Sequence, residues 1–167
     1  MPAATPAPGA PSRFRCVAMP TEAARRFRAS GRDDRGNALI RRTVDGPGFP
    51  CRHCLLLGTP GEEMLLGSWD LPRPGGVYWT PSPVFLHARD CARFDAEDAI
   101  APTVLANGIV SVRAYDSEQM CLYDLGHVCA GPAVAAPLRR ALDDPRTRFV
   151  NIHTARPGCW LAGAELI

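Results

Sequence analysis

The chain has 167 residues, 46% of them hydrophobic and 22% charged, with a formal net charge of +2. That size supports one core rather than two, and the composition excludes fibrous and disordered classes, leaving a compact, soluble domain. All 19 basic residues are arginine, which excludes lysine-based covalent chemistry, and their interleaving with acids, as in Arg32-Asp33-Asp34-Arg35, leaves no basic stripe for nucleic acid.

Met1 to Pro11, rich in alanine and proline, reads as a disordered tail without the basic start or apolar run of a signal peptide or membrane anchor. A cytoplasmic protein with no membrane partner is expected, folded over residues 12–167 as a single domain. Phe14, Cys16 and Ala18 alternate into a short strand, and Thr21 is the candidate N-cap of a helix that runs to about Ser30 and stops at Gly31. A strand is expected over residues 37–44, followed by a turn at Asp45-Gly46-Pro47-Gly48. Cys54 to Leu57 and Glu63 to Trp69 are apolar runs whose spacing predicts an antiparallel pair joined across Gly58-Thr59-Pro60-Gly61. Leu71 to Gly76 must be loop, and Val84 to His87 is another short strand.

Gly108 to Tyr115 alternates, with Val110, Val112 and Ala114 toward a core and Ser111, Arg113 and Tyr115 on the opposite face. Met120 to Val128 is expected to return beside it, and Ala133 to Leu142 to form a helix ended by Asp143-Asp144-Pro145. Phe149 to His153 and Cys159 to Leu166 read as a hairpin around Arg156-Pro157-Gly158, with Pro and Gly at the centre of a type II turn. Many short strands with too few helices for regular βαβ alternation predict an α+β fold, a mostly antiparallel sheet with two or three helices.

Seven cysteines with no secretory context read as thiols or metal ligands rather than disulfides. Four residues stand out: Cys51 and Cys54 in a Cys-x-x-Cys turn, and His87 and Cys91 in a His-x₃-Cys segment. Two pairs of soft donors, each close enough to grip one ion, are the ligand set that zinc prefers over magnesium or calcium. Four protein ligands would close the sphere and make the zinc structural, whereas three would leave a position for water or substrate. The competing reading is a set of independent buried thiols with a hydrogen-bonded histidine. His53 is a further candidate ligand, although its place inside the turn points it away.

Redox chemistry at the same turn is disfavoured because Leu55 to Leu57 does not open a helix. A Cys159 nucleophile with His153 as base is disfavoured because a two-residue turn puts Cys159 on the face of Thr154 and Ile152, and His153 on the other; only a bulge would reverse that. Arg113 and Tyr115 share a face, and Arg52 lies beside the metal turn. These three are the candidate ligand-binding residues for a small anionic molecule. The leading reading is a zinc-binding domain with such a pocket; the alternative is a small zinc- or cysteine-dependent enzyme acting on a small metabolite. An interaction module would instead show an exposed apolar patch around Trp69, Tyr78 and Trp79.

The ordered blocks Pro50-Cys51-Arg52-His53-Cys54-Leu55, Gly61-Glu62, Val84-Phe85-Leu86-His87 with Cys91, Arg113-Ala114-Tyr115-Asp116 and Gly158-Cys159-Trp160 resemble the bacterial DUF1203 family, a similarity expected to cover nearly all of residues 12–167. The family has no known function, so the resemblance implies a single small domain and little chemistry. Cys51, Arg52, His87, Arg113, Tyr115 and Cys159 occupy its recognisable positions. Ser82 stands where glycine is expected before Pro83, and Glu165 where a basic residue is expected.

Overall fold

A computed structural model describes residues 12–167; the expected N-terminal tail lies outside them. Eight strands and three α-helices follow in chain order. They are β1 (Phe14–Val17), α1 (Thr21–Ser30), β2 (Ile40–Thr43), β3 (Glu63–Asp70), β4 (Pro81–His87), α2 (Pro102–Leu105), β5 (Val110–Tyr115), β6 (His127–Cys129), α3 (Ala135–Asp143), β7 (Phe149–Thr154) and β8 (Trp160–Leu166). The strands form two sheets, a five-stranded one in the order β1-β8-β7-β5-β6 and a three-stranded one in the order β2-β3-β4. Every ladder is antiparallel, which makes this the expected α+β fold.

Alternation along β5 works as anticipated: Val110, Val112 and Ala114 are buried beneath α2 and α3 in one apolar cluster with Leu138, Leu142, Val150 and Ile152. The second cluster fills the space between α1 and the small sheet, where Phe27, Met64, Val84 and Leu86 pack with Cys51, Cys54 and Trp160. Complete burial of one such side chain contributes about 2 kcal/mol. Trp160 belongs to the large sheet but points to the small one, its ring edge-on to Trp69 at 5.1 Å.

Polar bonds reinforce that junction. The Trp160 amide donates to Ser82 Oγ at 2.9 Å, and its indole nitrogen donates to Asn151 Oδ1 at 3.1 Å. Ser82, unexpected against the family pattern, therefore lies within β4 and ties one sheet to the other. Glu165, the second departure, accepts from Arg15 and Arg73.

Three local expectations are corrected. Cys54 to Leu57 is not a strand paired with β3, whose neighbours are β2 and β4. Leu55 takes a left-handed φ of 55° and is fully buried, while Leu56 and Leu57 are exposed, so the three leucines are the exit limb of a tight turn. Thr21 is the first helical residue, not a side-chain cap; its Oγ1 pairs with His53 Nε2 at 2.9 Å. The last hairpin closes with Thr154 opposite Cys159 through their backbone bond of 2.8 Å, leaving four residues in the loop rather than a Pro-Gly pair. A bulge follows at Ile152/His153, where His153 pairs with Trp160. No helix among the described residues is long and apolar enough to cross a membrane.

Candidate metal centre and a separate cavity

The Cys-x-x-Cys turn is shaped by its backbone. Cys51 N–H donates to Leu56 O and Leu55 N–H to Cys51 O, at 2.9 and 3.0 Å, and the left-handed Leu55 redirects the chain after Cys54. Arg52 N–H donates to Phe85 O at 2.9 Å, which lays the turn along β4 two residues before His87. The segment after β4 then folds over the turn, held by Phe94 N–H to His53 O at 3.0 Å and by Arg93 on the carbonyls of Ala18 and Met19.

These supports bring Cys51, Cys54, His87 and Cys91 together, with their donor atoms all within 4.8 Å of one another. Such a cluster can hold a metal ion. Cys51, Cys54 and His87 are buried, and Cys91 is half-buried. Hydrogen bonds from Cys54 and then Cys91 pull the Cys51 thiol well below the ordinary range, and the same contact pushes Cys54 up. Contacts with Cys51 and Cys91 raise His87 to about 9. Three sulfurs and an imidazole thus compete for protons at one point, the condition that a cation relieves.

The surroundings include residues that sequence spacing did not single out as part of the site. His87 turns Nδ1 toward Cys54 Sγ and Nε2 toward Glu62 Oε2, 3.4 Å away; that second contact is too poorly aligned to count as a hydrogen bond, and Nε2 is otherwise unpaired. Glu62 is held first by the Thr59 amide and then by Arg89, which keep its carboxyl down at about 2. Arg28, from α1, donates to Cys91 Sγ at 3.3 Å and to His87 O at 3.0 Å. His53 does not join the four donors, yet its Nδ1 lies 3.3 Å from Cys91 Sγ.

The three candidate ligand-binding residues separate. Arg113 and Tyr115 line a cavity of about 620 Å³ on the β5/β7 face, together with His153, Tyr78 and Tyr123. Arg52 does not line it. Its guanidinium is buried and donates to Trp160 O and Pro50 O, both at 2.6 Å, and burial lowers its pKa to about 10. Of the three aromatics expected to mark an interaction patch, Trp69 is core, whereas Trp79 is exposed while donating to Leu71 O, and the half-buried Tyr78 pairs its hydroxyl with the exposed Tyr123.

His153 and Cys159 form no dyad. His153 Nδ1 bonds Gly158 O at 2.9 Å, and the Cys159 amide takes Thr154 Oγ1. Burial first, then the Arg113 charge, press His153 down to about 4, with Arg52 adding to the effect. Because this lies below the free imidazole's 6.5, the unfolded chain binds the proton more tightly. The contribution is complete above the unfolded value and is lost as pH falls toward the folded one. Lowering the pH from about 7 to about 5 should cost about 2 kcal/mol. Urea titrations at both values, on wild type and His153→Gln, check this; an unchanged pH slope in the variant would contradict it.

The family model described as a protein of unknown function (DUF1203) matches residues 48–165. The chain belongs to the DUF1203 family. No curated protein and no solved structure matches it. The DUF1203 match begins at Gly48, so it takes in all four clustered donors and the whole cavity face of β5 and β7, but not β1, α1 or β2. Arg28 and Thr21, which brace the cluster from α1, therefore lie outside the matched region.

Proposed function

We propose that this DUF1203 domain binds one zinc ion through Cys51, Cys54, His87 and Cys91, that the metal is structural, and that the separate cavity on the large sheet takes a small anionic molecule. The observation that carries the metal reading is the convergence of four protein donors in a largely buried cluster. Sulfurs bound to one tetrahedral zinc at about 2.3 Å stand about 3.8 Å apart, and a sulfur and an imidazole nitrogen about 3.6 Å. The corresponding separations are 3.9 Å for Cys51 and Cys91, and 3.4 Å for Cys54 and His87 Nδ1.

Four protein ligands favour a closed structural sphere over the three-plus-water arrangement of a zinc enzyme. Three thiolates and a neutral imidazole around Zn²⁺ carry one net negative charge, which the Arg28 guanidinium beside Cys91 balances. Glu62 behind His87 fits the outer carboxylate that orients a metal-bound imidazole. Seven unpaired cysteines suit the reducing cytoplasm.

Elemental mass spectrometry of protein purified without added metal tests the reading. Wild type should carry about one equivalent of zinc and Cys54→Ser much less. Iron in its place would reassign the ion, and a folded, metal-free wild type would overturn the site.

A further inference from the structure

The cavity on the large sheet has a chemical polarity that narrows its occupant, taking as its starting point the proposal that an anion binds there. We infer that it accepts a monoanionic carboxylate carrying a hydroxyl donor on a flat apolar or aromatic body.

The volume, about 620 Å³, is that of a small-molecule pocket rather than a packing defect. Among the described residues, Arg113 is the only arginine in the lining, and no aspartate or glutamate lines the cavity. It makes one long hydrogen bond within its own strand, Nε to Ser111 Oγ at 3.4 Å, and also interacts with the Tyr115 hydroxyl, with no carboxylate partner. Other guanidiniums are committed, Arg146 to Asp124 and Asp144, Arg15 and Arg73 to Glu165. A guanidinium with open donors, set in a wall without acids, suits a carboxylate, which it can hold through two parallel hydrogen bonds.

His153 supplies the second constraint. Its Nδ1 faces the carbonyl of Gly158, which can only accept, so Nδ1 carries the proton and Nε2 is left as an acceptor. A neutral His153 beside Arg113 adds no positive charge, and the other lining imidazole, His127, is exposed to solvent, so Arg113 is the one guanidinium for the ligand and the pocket matches one negative charge better than the two of a phosphate monoester. It also requires a donor from the ligand. His153 stands directly opposite Ser111 across the ladder, one alternate position from Arg113 on the same face, so donor and carboxylate must lie on one short molecule.

The body of the ligand meets aromatic walls. Tyr78 lies edge-on to Tyr115 and to Tyr123, each pair 6.2 Å between ring centres, and the Tyr78 and Tyr123 hydroxyls are 2.7 Å apart. Offset and edge contacts of this kind favour a planar ring over a flexible chain.

Calorimetric titration of the full chain with 3-hydroxybenzoate, benzoate and 3-hydroxybenzamide separates the parts of this inference. The hydroxy acid should bind about tenfold more tightly than either analogue. Arg113→Met should erase the preference for acid over amide, and His153→Phe the preference for hydroxybenzoate over benzoate. The wild-type comparison decides the matter even if a variant does not fold. Equal affinity for hydroxybenzoate and benzoate would overturn the hydroxyl requirement while leaving an anion pocket standing. Equal affinity for acid and amide, or no binding of either acid at millimolar concentration, would overturn both.

Discussion

Cys51→Ser should release the metal and lower the unfolding midpoint by about 10 °C or more. Cys51 is fully buried, its sulfur is 3.9 Å from that of Cys91, and it belongs to the apolar cluster beneath α1. Structural zinc contributes folding free energy directly, apparent values being about 10 kcal/mol or more in small zinc domains. This chain also has two apolar clusters, one of them without any of the four donors, so only part of that should appear as lost stability. A loss of about 4 kcal/mol, at roughly 2–4 °C per kcal/mol for a chain of this size, gives the stated shift. Calorimetry with zinc analysis on the same samples checks it. Unchanged melting with zinc retained would remove Cys51 from the ligand set, and unchanged melting with zinc lost would deny the metal a structural role.

Arg52→Met should cost about 3 kcal/mol, and Arg52→Lys should not recover it. The guanidinium satisfies two buried carbonyls at once, Pro50 O before the cysteine turn and Trp160 O at the start of β8. Methionine fills similar volume and removes the cost of burying a charge, but it strands both acceptors at about 1–3 kcal/mol each. Lysine keeps the charge on a single nitrogen and lacks the fork that reaches both oxygens. Denaturant titration of the two variants measures this, and a Lys variant as stable as wild type would refute the bridging role. The same geometry explains why Arg52, read from its neighbours as a ligand-binding residue, stands apart from Arg113 and Tyr115.

Local signals were legible wherever one element decides the answer. The alternation of Val110, Val112 and Ala114 against Ser111, Arg113 and Tyr115 identifies both the core face and the cavity face of β5. Spacing alone also picks out Cys51, Cys54, His87 and Cys91, because two short ligand pairs need only be brought together once. What escaped depends on register between distant segments. Glu62 reaches His87 because β3 and β4 are antiparallel with Met64 opposite His87, and nothing in the spacing of Glu62 reveals that pairing. Arg28 reaches Cys91 across 63 positions from α1. Leu55 to Leu57 misled because an apolar run bounded by glycine looks the same whether it is a strand or the limb of a turn, and only the left-handed Leu55 distinguishes them.

The pairing of β1 with β8 constrains the order in which the molecule can assemble. Phe14 lies opposite Leu166, and Ile167 N–H donates to Arg13 O, so β1 must wait through the synthesis of about 150 further residues before its neighbour exists. Closing such a long loop is slow and entropically costly. The clustered donors, by contrast, span only Cys51 to Cys91 and are all synthesised before β5. During synthesis the residues of the small sheet and its cysteine turn are therefore complete while β1 still lacks a strand to pair with. On the proposed metal reading, metal supply bears on this early part of the chain first, and the large sheet is completed only after β8 emerges.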